Sequence, residues 1–230
     1  MKTIGLVGGM SWESTLEYYR IINQRMKERM GGFHSAKIVL YSVDFHEVES
    51  WQHRGGWKEL TDLMIDAAQR IERAGADLLV ICTNTMHKMA DEVQKSIRIP
   101  LLHIVDVTAA EIKNRSLRKV GLLGTRFTME QDFYKMRLSR DHGLEVIIPE
   151  EKERELIHGI LYNELCLGEI KEASKGVFQE IIAGLVSRGA QGIILGCTEI
   201  PLLVSQTEYD IPLFDTTTIH ARAAVDRALD

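Results

Sequence analysis

Short apolar runs alternate along the chain with longer amphipathic segments. Thr3–Val7, Lys37–Ser42, Leu78–Cys82, Pro100–Ile104, Lys119–Leu123, Glu145–Ile148, Gly192–Leu195 and Pro212–Phe214 read as strands. Between them, apolar side chains recur at helical spacing. Leu16, Tyr19, Asn23, Met26 and Met30 mark one expected face, and Leu60, Met64, Ala67, Ile71 and Ala74 another. Leu156, Ile160, Leu161 and Leu165 mark a third, and Val177, Ile181, Leu185 and Val186 a fourth. Continuous apolar strands alternating with helices predict an α/β fold of parallel sheets covered on both faces.

The pattern repeats. Ile4-Gly5-Leu6-Val7-Gly8 returns 116 residues later as Val120-Gly121-Leu122-Leu123-Gly124. Gly75-Ala76 returns as Gly189-Ala190, and Ile99-Pro100-Leu101 as Ile211-Pro212-Leu213. Three matches in the same order imply a duplicated half of four strands and their helices, with a period too long for a solenoid.

Ligands of parallel α/β sheets bind beyond the carboxyl ends of strands. Four such ends carry small or polar residues: Gly8-Gly9-Met10-Ser11, Thr83-Asn84-Thr85, Thr125-Arg126-Phe127-Thr128 and Cys197-Thr198-Glu199. If each opens a helix, free N–H groups and the positive dipole end favour a carboxylate there. For any one of these ends alone, plain capping by Ser, Thr and Asn is the better account. A thiol is an uncommon cap, so Cys197 weighs toward chemistry, and a helix N-terminus is expected to lower its pKa. Cys82, at the end of an apolar run, and Cys166, at a helix end, read as inert buried thiols. Eight residues beyond Gly75 is Thr83, and eight beyond Gly189 is Cys197. The repeat therefore pairs Cys197 with Thr83, and strand alternation points Cys82 the other way.

Charge and cysteine usage narrow the partners. Lys and Arg total 28 against 33 Asp and Glu, a net charge of −5, and no basic run exceeds two residues. Nucleic acid and membrane surfaces are thus not expected as partners. No apolar stretch approaches a membrane span, and with a first strand from Thr3 no cleaved leader is expected. Three widely spaced cysteines do not form a disulfide framework, which suits a cytoplasmic setting.

At Gly5-Leu6-Val7-Gly8-Gly9-Met10-Ser11-Trp12, Thr83-Asn84-Thr85-Met86-His87 and Gly196-Cys197-Thr198-Glu199-Ile200-Pro201 the chain resembles the aspartate/glutamate racemase superfamily, aspartate racemase branch. The resemblance covers essentially the whole chain. It implies two pseudo-symmetric lobes, each a four-stranded, mainly parallel sheet flanked by helices, with the active site in the cleft between them. With the C-terminal helix returning to the first lobe, the lobes are expected at 1–98 with 212–230, and at 99–211. The resemblance further implies an isomerase without pyridoxal phosphate or metal, so no cofactor is expected. In that family two cysteines flank the substrate α-carbon, the second-lobe thiol facing the α-proton of the L-enantiomer. The family pattern usually reads Cys-Asn-Thr-x-His, and here Thr83 stands at its first position. Some acid-specific members carry an Arg after the second strand; this chain reads Val43-Asp44-Phe45-His46-Glu47, with only Gln52, His53 and Arg54 near.

The expected activity is cofactor-independent racemisation of an amino acid, aspartate or glutamate first, or a broader set. Cys197 and Thr83 are the expected catalytic pair on opposite faces of the substrate. Asn84, Thr85, Thr125 and Thr198 are expected to hold its carboxylate, with Met10 and Gln52 lining the pocket. Glu199 either accepts from the substrate ammonium or is an N-terminal helix charge, and His87 is expected to be structural. A homodimer is expected. Competing readings are a single-thiol decarboxylase or isomerase of the same superfamily, a nucleotide-binding module and a non-catalytic amino-acid sensor. The nucleotide reading is weakened because Gly5-x-x-Gly8-Gly9 misses the G-x-G-x-x-G spacing.

Overall fold

A computed structural model describes residues 1–230. The chain divides into two compact units, Met1–His103 with His220–Asp230, and Ile104–Ile219. In unit 1, β1 (Ile4–Gly8) is followed by α1 (Trp12–Met30), β2 (Ile38–Ser42), α2 (Phe45–Arg54) and α3 (Trp57–Arg73). Then come β3 (Leu78–Ile81), a 3-10 turn at Thr85–Met89, and α4 (Ala90–Ser96). The sheet runs β2-β1-β3, all parallel. β1 is wholly buried, and at Gly5 a Cβ would lie 2.2 Å from Ile71 Cγ2, so glycine lets α3 seat on the strand.

Two expectations change here. The fourth strand of this unit, expected at 100–104, is a single parallel bridge of Leu101 to Leu79. Leu79 N–H donates to Pro100 O at 2.9 Å and Leu102 N–H donates to Leu79 O at 2.9 Å; the chain then turns into a helix at Ile104. The expected face of α1 also shifts: Leu16, Tyr19 and Met30 are exposed, while Thr15, Tyr18, Ile22 and Met26 are buried. Asn23 works at the edge of that face, accepting from Ala36 N–H at 3.0 Å.

Unit 2 contains α5 (Ile104–Asn114), β4 (Lys119–Gly124), α6 (Arg126–Glu130), α7 (Asp132–Met136) and β5 (Glu145–Ile147). It continues through α8 (Glu151–Asn163), α9 (Glu172–Ser187), β6 (Ile193–Gly196) and β7 (Leu213–Asp215). The sheet order is β5-β4-β6-β7, again parallel. This is the order of unit 1 with its bridge strand completed. The duplication extends to backbone detail: Gly75 and Gly189, at the turns before β3 and β6, have φ of 90° and 92°. Because β7 pairs with β6, residues 212–219 belong to unit 2, and the boundaries expected at 98/99 and 211/212 move to 103/104 and 219/220.

The last helix, α10 (Thr216–Leu229), closes unit 1. Ala221, Ala224, Val225 and Ala228 join the apolar cluster of Ile4, Leu6, Tyr18 and Ile22. Lys2 N–H donates to Ala228 O at 2.9 Å, and Arg25 grips both oxygens of Asp226 at 3.0 and 3.1 Å. At its centre is a buried relay. His220 Nε2 lies 2.8 Å from Leu102 O, an acceptor only, so Nε2 carries the proton. Nδ1 then accepts from the Tyr18 hydroxyl at 2.9 Å.

Burial pushes the His220 pKa down from 6.5 to about 4. The unfolded chain therefore takes up a proton below pH 6.5 that the folded chain refuses until about pH 4. Stability from this group is complete above pH 6.5 and declines as pH falls toward 4, by about 3 kcal/mol at full extent. Urea midpoints should fall across that window. His220→Asn should be less stable at pH 7.5 but show a flatter slope below it; an identical slope would place the acid sensitivity elsewhere.

Candidate active site

In unit 1 the chain leaves β1 through Gly9, whose φ of 89° and crowding by Val43 O, 2.3 Å from a notional Cβ, admit only glycine. Ser11 then caps α1, its side chain accepting from Ser14 N–H, while Thr15 Oγ1 accepts from Gly9 N–H at 2.8 Å. Met10 is buried against Val7, Leu60 and Met86. Gln52 is buried on α2 and donates from Nε2 to Met86 Sδ at 3.4 Å, which ties α2 to the loop after β3.

After β3, side chains alternate as the strand requires. Cys82 joins the Leu6–Tyr18–Ala221 cluster with no exposed surface, and burial pushes its thiol pKa far up. Thr83 is 8% exposed, and its hydroxyl forms no hydrogen bond within the chain. His87 Nδ1 lies 2.7 Å from Thr83 O and must donate to it, so His87 holds the Thr83 backbone. The His87 ring sits 4.7 Å from His103 and 5.6 Å from His220, centroid to centroid. Asn84 and Thr85 are buried at the start of the 3-10 turn.

In unit 2, β4 and β6 end at a glycine pair. A Cβ on Gly124 would lie 2.7 Å from Gly196 O, and one on Gly196 2.6 Å from Leu123 O. Thr125 caps α6: its Oγ1 accepts from Thr128 N–H at 3.2 Å, as plain capping demands. Beyond Gly196, Cys197 Sγ donates to Glu199 Oε2 at 3.0 Å, and Thr198 Oγ1 donates to the same oxygen at 2.8 Å. Cys197 is 8% exposed and Glu199 2%. Of the two roles open to Glu199, a helix-end charge does not describe this geometry, because the carboxylate is aimed at the thiol.

The expected lowering of the Cys197 pKa is reversed. Burial raises it well above the ordinary thiol value, and the Glu199 charge and then Cys166 raise it further. Burial is the first cause, and no long helix follows to oppose it. Only three residues, Ile200–Leu202, coil as a 3-10 turn, so there is little dipole to favour a thiolate. The loops at Thr83 and Thr125 likewise open short helical pieces, of five residues each before the next element begins; only the first end opens a long helix. Cys166, read from sequence as inert, lies on the turn Leu165–Leu167 within electrostatic reach of Cys197. Its separation of 31 residues gave no signal. No group of three or more His, Cys, Asp or Glu side chains is arranged to hold a metal ion. No helix is long and apolar enough to cross a membrane.

Each of these sets of strand-end residues stands on one half of a duplicated parallel α/β scaffold. Residues 7–224 match the Asp/Glu/Hydantoin racemase family, and the chain belongs to that family, an isomerase by class. A Yersinia pestis structure described as a candidate Asp/Glu racemase superposes with a TM-score of 0.93 at 54% identity, over 100% of both chains. An aspartate racemase homologue from Pyrococcus horikoshii OT3 gives 0.86 at 38% identity, also over 100% of both. The broad specificity amino-acid racemase RacX of Bacillus subtilis (strain 168) is 25% identical over 236 residues, 98% of each chain.

If the Glu199 charge helps keep the thiol protonated, Glu199→Gln lowers the Cys197 pKa. In a Cys166→Ser background, alkylation of Cys197 by iodoacetamide should begin at lower pH in the Gln variant. An unchanged onset would mean that burial alone sets the thiol.

Proposed function

We propose that the protein interconverts the enantiomers of an amino acid, aspartate or glutamate first, without pyridoxal phosphate or metal, using Cys197 as a thiol acid/base. The observation that carries the reading is the hydrogen bond from Cys197 Sγ to Glu199 Oε2 at a strand carboxyl end. A buried thiol beside a buried carboxylate is an acid/base pair whose ionisation answers to charge arriving nearby. A substrate α-ammonium next to Glu199 cancels the repulsion that opposes the thiolate. Cys197 passes its proton to Glu199, which already accepts its hydrogen bond, and the thiolate then removes the substrate α-proton; the carbanion that forms is stabilised by hydrogen-bond donors at its carboxylate. Thr198 becomes such a donor only if its hydroxyl proton turns from Glu199. Asn84, Thr85 and Thr125 are the others the reading assigns, and Thr125 donates only if its hydroxyl proton turns from Thr128.

Thr83 is the second proton carrier by repeat register. A threonine hydroxyl is a far weaker acid than a thiol, so the two directions of reaction are unequal in rate, though not in equilibrium. The similarity to a relative named for broad specificity leaves neutral amino acids as alternative substrates.

Proton NMR of pure enantiomers in deuterated water tests these roles. L-Aspartate should exchange its α-proton faster than D-aspartate, and Thr83→Cys should speed exchange of the D-form. Cys197→Ser should lose at least about 100-fold in exchange of the L-form, while Cys82→Ala keeps it. Equal rates for both enantiomers in the unaltered protein would remove Thr83 from the role assigned to it.

A further inference from the structure

Side chains three apart on a 3-10 turn eclipse, so Lys88 lies on the same side of the Thr85–Met89 turn as Thr85. Lys88 is half-buried, and its Nζ sits 3.7 Å from the centroid of the Trp57 ring. Trp57 opens α3, the helix that carries the chain back to the amino end of β3. The first residue of α3 therefore stands at the carboxyl edge of the sheet, where Thr83, Asn84 and Thr85 leave β3. The Gln52–Met86 bond holds the end of α2 to the same turn.

This cation has no anionic partner. Lys58, Lys119, Lys171 and Lys175 each pair with a carboxylate; Lys88, like the remaining lysines, pairs with none, and of the lysines it is the one seated over an aromatic ring. The indole face attracts and aims the ammonium without neutralising it, and the other N–H bonds of the group remain for an acceptor. Partial burial lowers its pKa. The other groups in this part of unit 1 are less suited to a distal carboxylate. The Gln52 amide is engaged with Met86, His53 pairs with Glu49 at 2.9 Å, and Arg54, the last residue of α2, is exposed to solvent.

We propose that Lys88 is a specificity residue that binds the side-chain carboxylate of an acidic amino-acid substrate, with Trp57 as the platform that holds its ammonium in place. This rests on the amino-acid reading of the site given above, and deepens it by assigning the substrate class to one residue.

Calorimetric titration with L-aspartate and with its neutral isostere L-asparagine tests it in the unaltered protein, Lys88→Met and Lys88→Arg. Aspartate should bind the unaltered protein roughly tenfold or more tightly than asparagine. Lys88→Met should abolish that ratio by weakening aspartate alone, and Lys88→Arg should keep most of it. An unchanged ratio in Lys88→Met, or equal weakening of both ligands, would overturn the proposal, as would an unaltered protein with no preference. α-Proton exchange of both ligands is followed in parallel. Binding of both without exchange of either would overturn racemisation and still leave the ratio to judge Lys88.

Discussion

Every paired strand in both sheets runs parallel to its neighbour, so within each unit all strand carboxyl ends, and the loops that leave them, gather at one edge. The residues with chemical potential are confined to that edge because the rest of each strand is covered by helices and must be apolar. Close approach of the strands is what brings the loops together. In unit 2 the glycines at 124 and 196 permit it, since a methyl group on either would meet backbone. In unit 1 Gly8 makes room instead for the first turn of α1, with Thr15 Cγ2 2.4 Å from where its Cβ would be.

Two thiols of this chain are held protonated for different reasons. Cys82 is held by burial alone, among the apolar side chains of Leu6, Tyr18 and Ala221. Cys197 is held partly by burial and partly by the charge of a carboxylate that also accepts its hydrogen bond. The second cause can be reversed by an incoming cation and the first cannot. A thiol held protonated is also protected against stray oxidation and alkylation, which require thiolate.

Much of this architecture was legible in the chain. The repeat predicted two sheets of the same strand order, and the strands fell within a residue or two of their expected places, since apolar runs between turn glycines have few alternatives. What was lost has identifiable causes. The buried face of α1 was misplaced because two of its members, Thr15 and Tyr18, are polar and earn burial through partners: Gly9 in the preceding loop and His220, which is 202 residues away. The strand at 100–104 shrank to a bridge because its local pattern also suits the start of a helix. At the site, residue types and positions could be read, and the ionisation of Cys197 could not. That depended on how many residues coil after the strand and on which way Glu199 turns, both set by tertiary packing.

Unit 1 is built from the two ends of the chain, with unit 2 entirely between them. During synthesis the second unit is therefore complete in sequence before the first. Until residues 220–230 emerge, the apolar surface of Ile4, Leu6, Tyr18 and Ile22 lacks the alanine-rich face that covers it, and the Tyr18 hydroxyl lacks its acceptor. The unit begun first is thus finished after the other, and a chain cut before His220 leaves it open.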